Sequence, residues 1–337
     1  MSVELPVLTI VVPCYNEEQV LHETIKELTR IMNELIASGK ITIGSHLLFV
    51  DDGSKDRTWN IIEEQSMLSP FVEGLKLSRN FGHQGALIAG LEASRAYSDC
   101  VVSIDADLQD DVDAIIEFMD KYHEGYDVVY GVRDKRDTDT AFKRTTALTF
   151  YRLMGKLGVN LVPNHADFRL LSKRALNELA KYQEENLFIR GIIPLLGFKQ
   201  TNVYYNRKER FAGESKYPLK KMLSFALDGI TSFSVVPIKL VTVIGSLMVA
   251  LGVGITIYSL FAWLFNHTIS GWTSLIVSIW FVGGMQLIAI GVIGEYLGKI
   301  FKETKHRPRY TIAVNTQDQL QANTNAQNYL EADPTRS

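Results

Sequence analysis

Along the first third of the chain, apolar residues come in short unbroken runs separated by stretches with apolar spacing of three to four. Residues 7–12 (Val-Leu-Thr-Ile-Val-Val) form one such run, stopped by Pro13. Its lack of alternation predicts a strand buried on both faces. Leu21, Ile25, Leu28, Met32 and Leu35 follow at helical spacing, an amphipathic helix that Gly39 ends. The pattern then repeats. Strands are predicted at 46–50, 75–77, 101–104 and 127–132, and helices at about 56–66, 84–97 and 113–123. Repeated β-α units imply an α/β fold with a mostly parallel sheet, helices on both faces and a ligand crevice at the carboxyl ends of its strands.

Beyond residue 217 the pattern changes. Leu219, Met222, Leu223, Phe225 and Ala226 give 217–237 the look of an amphipathic segment lying at an interface. Residues 240–265 hold no charge over 26 positions and 271–294 none over 24. Each is long enough to cross a hydrocarbon core of about 30 Å at about 1.5 Å per residue, whereas two such lengths in succession suit buried soluble helices poorly. The 266–270 connection carries no Lys or Arg, Lys239 precedes the pair, and Lys299, Lys302, Lys305, Arg307 and Arg309 follow it. The positive-inside rule therefore puts both flanks in the cytoplasm and the connection outside. Gly283, Gly284, Gly291, Gly294 and Gly298 suit close helix packing, and the Asn-, Gln- and Thr-rich tail from Asn315 predicts disorder. The expected division is a cytosolic α/β domain at 1–216, an interfacial segment at 217–237, a two-helix transmembrane hairpin at 238–298, and a cytosolic basic segment with a disordered tail at 299–337.

Length agrees with more than one unit, since 337 residues exceed the usual single domain. A net charge of −3 gives no reason to expect a nucleic-acid partner. Cys14 and Cys100 have neither metal nor redox spacing, which predicts a reducing compartment. Residues 1–20 lack a signal peptide's basic start and apolar core. The expected location is the inner (plasma) membrane, multi-pass, with both termini cytoplasmic.

Three polar clusters stand at predicted strand ends: Pro13-Cys14-Tyr15-Asn16-Glu17, Asp51-Asp52-Gly53-Ser54 and Asp105-Ala106-Asp107. Each alone could be a cap or turn, but all three converge on one crevice. Asp105 and Asp107, one residue apart at the end of a strand, are expected to point the same way and to repel. A divalent cation resolves that, and hard carboxylate oxygens suit Mg²⁺ or Mn²⁺, with a nucleotide diphosphate as third party. The plainer alternative is a solvated acidic strand end. Cations follow: Arg133, Arg136, Lys143, Arg144 and Arg169, then seven basic against two acidic residues over 199–221. Singly these are ordinary surface. Together, before an apolar span, they suit a phosphate and an anionic lipid surface.

The motifs at 11–18 (Val-Val-Pro-Cys-Tyr-Asn-Glu-Glu), 50–56 (Val-Asp-Asp-Gly-Ser-Lys-Asp), 78–82 (Ser-Arg-Asn-Phe-Gly) and 105–110 (Asp-Ala-Asp-Leu-Gln-Asp) resemble the family-2 inverting glycosyltransferases of GT-A type nucleotide-sugar-binding fold. With 167–170 (Asp-Phe-Arg-Leu), 210–217 (Arg-Phe-Ala-Gly-Glu-Ser-Lys-Tyr) and the apolar spans, the likeness narrows to the polyprenyl-phosphate glycosyltransferases, the bactoprenol glucosyltransferase and dolichyl-phosphate-mannose synthase group, over roughly residues 5–310. The resemblance implies that Pro13, Tyr15, Glu17 and Asp52 cradle the nucleoside. It also implies that Asp105 and Asp107, with Gln109, hold the metal and diphosphate. Asp107 and Asp167 are the implied catalytic residues, Asp167 as base or acceptor positioner, with a salt bridge to Arg169 as its structural alternative. Arg133, Arg144, Arg169, Ser215 and Lys216 are the candidates for the acceptor phosphate. One departure is visible: Asp110-Asp111-Val112 stands where many relatives carry a proline pair after the motif.

The implied reaction is metal-dependent inverting transfer of a sugar from a nucleotide donor, UDP-glucose or a related UDP-hexose, to polyprenyl (undecaprenyl) phosphate at the cytoplasmic membrane face, for cell-envelope glycosylation. Implied partners are the donor, the lipid acceptor, the membrane, a flippase and further copies of the chain in a homo-oligomer. A processive polysaccharide synthase would share the nucleotide site, but the chain has no Gln-x-x-Arg-Trp motif and too few spans for a channel. A scaffold or flippase partner with a decayed transferase domain is opposed by intact Asp52, Asp105 and Asp107.

Overall fold

A computed structural model describes residues 4–133, 165–184, 189–206, 236–264 and 271–318. Arg144, Ser215, Lys216, most of the 217–237 segment, the 266–270 connection and the tail beyond 318 lie outside the described residues. The chain divides into two compact units, one of 1–151, 161–216 and 308–337, the other of 152–160 and 217–307.

The first unit is built on β1 (Leu8–Cys14), α1 (Leu21–Ala37), β2 (His46–Asp51), α2 (Thr58–Leu68), β3 (Val72–Leu77), α3 (His83–Ser94), β4 (Cys100–Ser103), α4 (Ala114–His123) and β5 (Val128–Arg133). It continues with β6 (His165–Ser172), α5 (Lys173–Leu179), α6 (Ile189–Ile192) running into a 3₁₀ turn, β7 (Gln200–Tyr205) and, much later, β8 (Ile312–Asn315). The strands form one sheet in the order β7-β5-β6-β4-β1-β2-β3-β8. Strand β1 runs parallel to β2 and β4, β2 to β3, and β5 to β7. Strand β6 runs antiparallel to both β4 and β5, and β8 antiparallel to β3. Six of the eight strands therefore run in one direction, as a mostly parallel sheet requires, and β6 and β8 run against them, which makes the sheet mixed. No apolar run announces β6, because Asp167, Arg169 and Ser172 interrupt it, yet all three are buried.

Every residue of β1 is buried, as a central strand covered on both faces requires. Pro13 does not end it. The proline pairs with Val50 of β2 but lies beyond Val11, the last β1 residue paired to β4, so its missing N–H costs the ladder nothing on that side. Helix α1 buries Leu21, Ile25, Leu28, Ile31, Met32 and Leu35, and each such side chain contributes roughly 1.5–3 kcal/mol relative to exposure. Helix α3 lies close on the sheet through Gly90, where a Cβ would stand 2.3 Å from Val11 Cγ1.

The segment after residue 299, expected as a basic stretch and tail, returns to this sheet. Strand β8 covers the outer edge of β3, which would otherwise present unpaired backbone groups. Thr316 is buried beyond it, its hydroxyl accepting from Gly74 N–H at 2.9 Å. A four-residue strand whose partner lies some 240 residues away leaves no local signal.

The second unit contains α7 (Val236–Leu264) and α8 (Trp272–Glu303). Among the described residues one helix, Phe281–Glu303, is long and apolar enough to cross a membrane; the apolar stretch Ile238–Gly254 is shorter. The two transmembrane helices expected from the sequence thus reduce here to one candidate span by length and composition.

Candidate active site

The loops at the carboxyl ends of β1 and β2 are stitched to each other by side chains. Asn16 N–H donates to Ser54 Oγ at 3.0 Å, Lys55 N–H to Asn16 Oδ1 at 2.8 Å, and Glu17 N–H to Thr58 Oγ1 at 2.9 Å. Asn16 sits at φ 54°, a left-handed conformation that asparagine tolerates. Tyr15 is exposed and Glu17 half-buried at this rim. Gly53, at φ +66°, lies so close to the next loop that a Cβ would stand 2.6 Å from the Arg79 carbonyl carbon.

That closeness serves Asp52. Its carboxylate accepts from Phe81 N–H at 2.6 Å and Gly82 N–H at 2.9 Å, holding the β3–α3 loop. Burial raises its pKa, and these amide bonds oppose the rise. Asp51, a member of the same polar cluster with no role expected of it, is fully buried. Its Oδ1 accepts from Ser54 N–H at 3.1 Å, while Oδ2 finds no hydrogen-bond partner among the described residues.

Strand β4 ends at Ser103, so Asp105 and Asp107 stand on the turn after it. Strand alternation is therefore not what orients them. The turn is fixed by the Thr24 hydroxyl, which donates to Ala106 C=O at 2.7 Å, and by Gln109 N–H, which donates to Asp107 Oδ1 at 3.2 Å. Leu108 takes φ 54°, costly for a residue of its kind and a sign that the turn is imposed by its surroundings. Burial, together with the charges of Asp167, Asp110 and Asp107, raises the pKa of Asp105 against the opposing influence of His83. A carboxyl pushed up in this way by neighbouring carboxyls fits a place where a cation is to be received. Among the described residues no three His, Cys, Asp or Glu side chains are grouped to hold a metal ion. The hard carboxylate oxygens of Asp105 and Asp107 are of the kind that Mg²⁺ or Mn²⁺ accepts.

The antiparallel strand β6 brings Asp167 to the same edge. Ser103 Oγ donates to its carbonyl at 2.5 Å, and Asp167 and Arg169, two residues apart, share a face and pair with each other. Arg190 on α6 adds a two-pronged bond, Nε to Oδ1 at 3.1 Å and Nη2 to Oδ2 at 2.9 Å. His83, the first residue of α3, places Nε2 3.3 Å from Asp167 Oδ2 and 3.6 Å from Asp105 Oδ1. Burial works to raise the Asp167 pKa. The His83 bond and the charges of Arg169 and Arg190 outweigh it and hold the carboxyl well below the usual range. Burial likewise works to lower His83, but Asp167 and Asp105 push it up to about 9, so the imidazole carries a proton at neutral pH. Arg169 is itself buried, and that burial lowers its pKa.

Arg133, at the end of β5, is held elsewhere. Its Nη2 and Nε reach Asp110 Oδ1 at 3.0 and 3.3 Å, and Tyr205 OH donates to the same oxygen at 2.5 Å. The structure thus unites Asp105 and Asp167, through His83, with Arg169, and it places Arg133 in a neighbouring pair with Asp110. His83 and Arg190 were not singled out from the sequence. His83 continues the Ser78–Gly82 motif by one residue and could have been read with it; Arg190 has no local signal.

A mixed α/β sheet that gathers polar loops and their carboxylates at the carboxyl edge of its strands forms a crevice of the kind in which α/β proteins bind ligands. Comparison with known proteins carries this to a family. Glycosyl transferase family 2 matches residues 9–180. The uncharacterized glycosyltransferase YkoT of Bacillus subtilis (strain 168) is 58% identical over 315 residues, covering 94% of each chain. The bactoprenol glucosyl transferase of Shigella phage SfV is 39% identical over 315 residues, covering 90% of this chain and 97% of that one. Among solved structures, glucosyl-3-phosphoglycerate synthase from Mycobacterium tuberculosis aligns over 68% of this chain and 79% of its own, at 19% identity and a TM-score of 0.44. The chain belongs to glycosyl transferase family 2, and it is a glycosyltransferase.

Proposed function

We propose that this enzyme transfers a hexose from a UDP-linked donor to polyprenyl phosphate at the cytoplasmic face of a membrane, with inversion at the anomeric carbon. The observation that carries the reading is the 39% identity with a bactoprenol glucosyl transferase, which extends over 90% of the chain and so takes in the apolar helices as well as the sheet. Both α7 and α8 span the bilayer in this reading, with the 266–270 connection outside and the lipid tail of the acceptor left in the membrane.

Pro13, Tyr15, Glu17 and Asp52 form the nucleoside end of the crevice, Asp52 by holding the loop of Phe81 and Gly82. Asp105, Asp107 and Gln109 would hold Mg²⁺ or Mn²⁺ with the diphosphate, and the ion would offset charge developing on the leaving group. A phosphate monoester has its second pKa near about 6 and is largely ionised at neutral pH, so the nucleophile needs little help from a base. Asp167, held below the usual carboxylate range, suits a positioning role better than that of a proton acceptor. Arg133, Arg144, Arg169, Ser215 and Lys216 are assigned to the acceptor phosphate, Arg169 acting from within the core through Asp167.

The test is transfer itself. Membranes containing the enzyme, incubated with radiolabelled UDP- and GDP-sugars and undecaprenyl phosphate, should yield a labelled lipid whose formation EDTA stops. The Asp107→Ala variant should fold, insert and form none. A labelled product equally abundant with EDTA and in that variant would refute the metal assignment, and the absence of any labelled lipid would refute the acceptor.

A further inference from the structure

Tyr205 has no part in the reaction as described, yet its hydroxyl joins the contact between Arg133 and the carboxylate loop. It ends β7 directly beside Arg133, the last residue of β5, in the parallel register of those strands. Asp110, three residues beyond Asp107 on the loop after β4, reaches both. Tyr205 OH donates to Asp110 Oδ1 at 2.5 Å and accepts from Arg133 Nε at 3.4 Å. Arg133 gives the same carboxylate oxygen its Nη2 at 3.0 Å and its Nε at 3.3 Å. Both Arg133 bonds to Asp110 thus fall on one oxygen, whereas a fork on two oxygens would fix the guanidinium plane. The Tyr205 hydroxyl supplies the second point of attachment. Asp110 and Tyr205 are buried, while the Arg133 side chain keeps 26% of its surface exposed. The triangle is anchored inside and its cationic corner faces out.

The anchor is set by packing. The Tyr205 ring meets Phe168 edge-on, with centroids 5.3 Å apart and planes at 81°. Phe168 is fully buried and lies against Phe118 of α4 at 4.6 Å. Gly131, two residues before Arg133, leaves room for both rings: a Cβ there would stand 2.8 Å from Phe168 Cδ1 and 3.0 Å from Tyr205 Cε1. Phe168 in turn sits on β6 between Asp167 and Arg169. The hydroxyl therefore takes its place from the sheet and offers it to the loop. Burial and the Asp110 charge push the Tyr205 phenol well up, so it keeps the proton it donates.

We propose that Tyr205 is a positioning residue of the transfer site: its hydroxyl locks Asp110 and Arg133 together and so holds the Arg133 guanidinium in the attitude that meets the acceptor phosphate. The proposal rests on the assignment of Arg133 to that phosphate made above.

Full-length enzyme in membranes should be compared as wild type, Tyr205→Phe, Arg133→Ala and the double variant. Two quantities are read: the KM for undecaprenyl phosphate and, by calorimetry, the affinity for UDP. Tyr205→Phe keeps the ring on Phe168 and removes only the hydroxyl. It should raise that KM roughly threefold to tenfold and leave UDP affinity unchanged. Arg133→Ala should raise it roughly tenfold to a hundredfold. With Arg133 gone the hydroxyl has nothing to position, so adding Tyr205→Phe to Arg133→Ala should raise the KM no further. A merely structural tyrosine would lower the unfolding temperature and leave the KM where it was, and that result would overturn the proposal. An equal rise in KM with and without Arg133 would overturn it too. If Tyr205→Phe does not fold, Asp110→Asn, which removes the charge and keeps the shape, carries the same cycle. Failure of the wider reading looks different. Arg133→Ala would then leave the KM for undecaprenyl phosphate unchanged, or wild-type enzyme would transfer nothing to that lipid, and Tyr205 would have no acceptor site to serve.

Discussion

Asp167 illustrates what a buried charge demands of its surroundings. Desolvation alone would favour its protonated form, yet three cations keep it ionised and low. Removing the charge leaves Arg169, nearly devoid of solvent contact, facing a neutral amide. Asp167→Asn should therefore lose about 3–5 kcal/mol of stability, the usual result of breaking a buried pair from one side. The pH dependence has a definite sign. A carboxyl whose native pKa lies below its unfolded value contributes stability that is complete above about pH 3.9 and is lost as the pH falls through the lowered native pKa. Urea unfolding from pH 7 down to pH 3 should show that acid loss in wild type and a smaller one in the Asn variant. Equal stability of the two at pH 7 would mean that the pair is not worth its burial.

Among elements, β8 is the least conspicuous in the sequence and among the more informative in the fold. It holds the edge of β3 by ladder bonds, and the next two residues add side-chain contacts: Thr316 accepts from Gly74 N–H, and Gln317 Nε2 donates to Glu73 Oε1 at 2.5 Å. Arg309, just before it, reaches Tyr182 C=O at 3.1 Å and Glu92 Oε1 at 2.6 Å, and so fastens the segment to α3 and to the end of α5. Thr316→Val keeps the shape and strands a buried N–H. It should cost about 1–3 kcal/mol, seen as a lower urea midpoint with unchanged slope. A midpoint equal to wild type would show that water replaces the hydroxyl. The α/β alternation of residues 7–132 was legible because each of those elements buries a contiguous apolar run or face. Strands β6 and β8 were not, because one carries buried charge and the other is recruited from the far end of the chain.

At the scale of the whole molecule, the apolar helices govern how the chain would meet a membrane. The sequence shows two uncharged stretches, while among the described residues one helix meets the length and composition test. The proposed hairpin makes a prediction independent of catalysis. A cysteine introduced at Thr268, in an otherwise thiol-masked background where Cys14 and Cys100 are buried, should react with an impermeant maleimide in intact cells. A cysteine introduced in the 319–337 tail should react only after lysis. Labelling of the tail in intact cells, with Thr268→Cys protected, would reverse the topology and exclude a cytoplasmic crevice.

The sequence by itself determined the α/β class, the three carboxylate-bearing loops at one sheet edge and the family likeness, because each is written in contiguous residues whose periodicity or spacing is local. It also carried the apolar stretches, since length without charge is a property of composition. What only the tertiary structure decided is which charges meet. Asp105 and Asp107 owe their placement to a turn pinned by Thr24, where strand alternation had been expected to orient them. Arg133 is engaged by Asp110 and Tyr205. His83, Asp167, Arg169 and Arg190 come from three separated segments and form one cluster only because β6 enters the sheet antiparallel between β4 and β5. Electrostatic partnership depends on distance in space and on burial, and neither is encoded by neighbours along the chain.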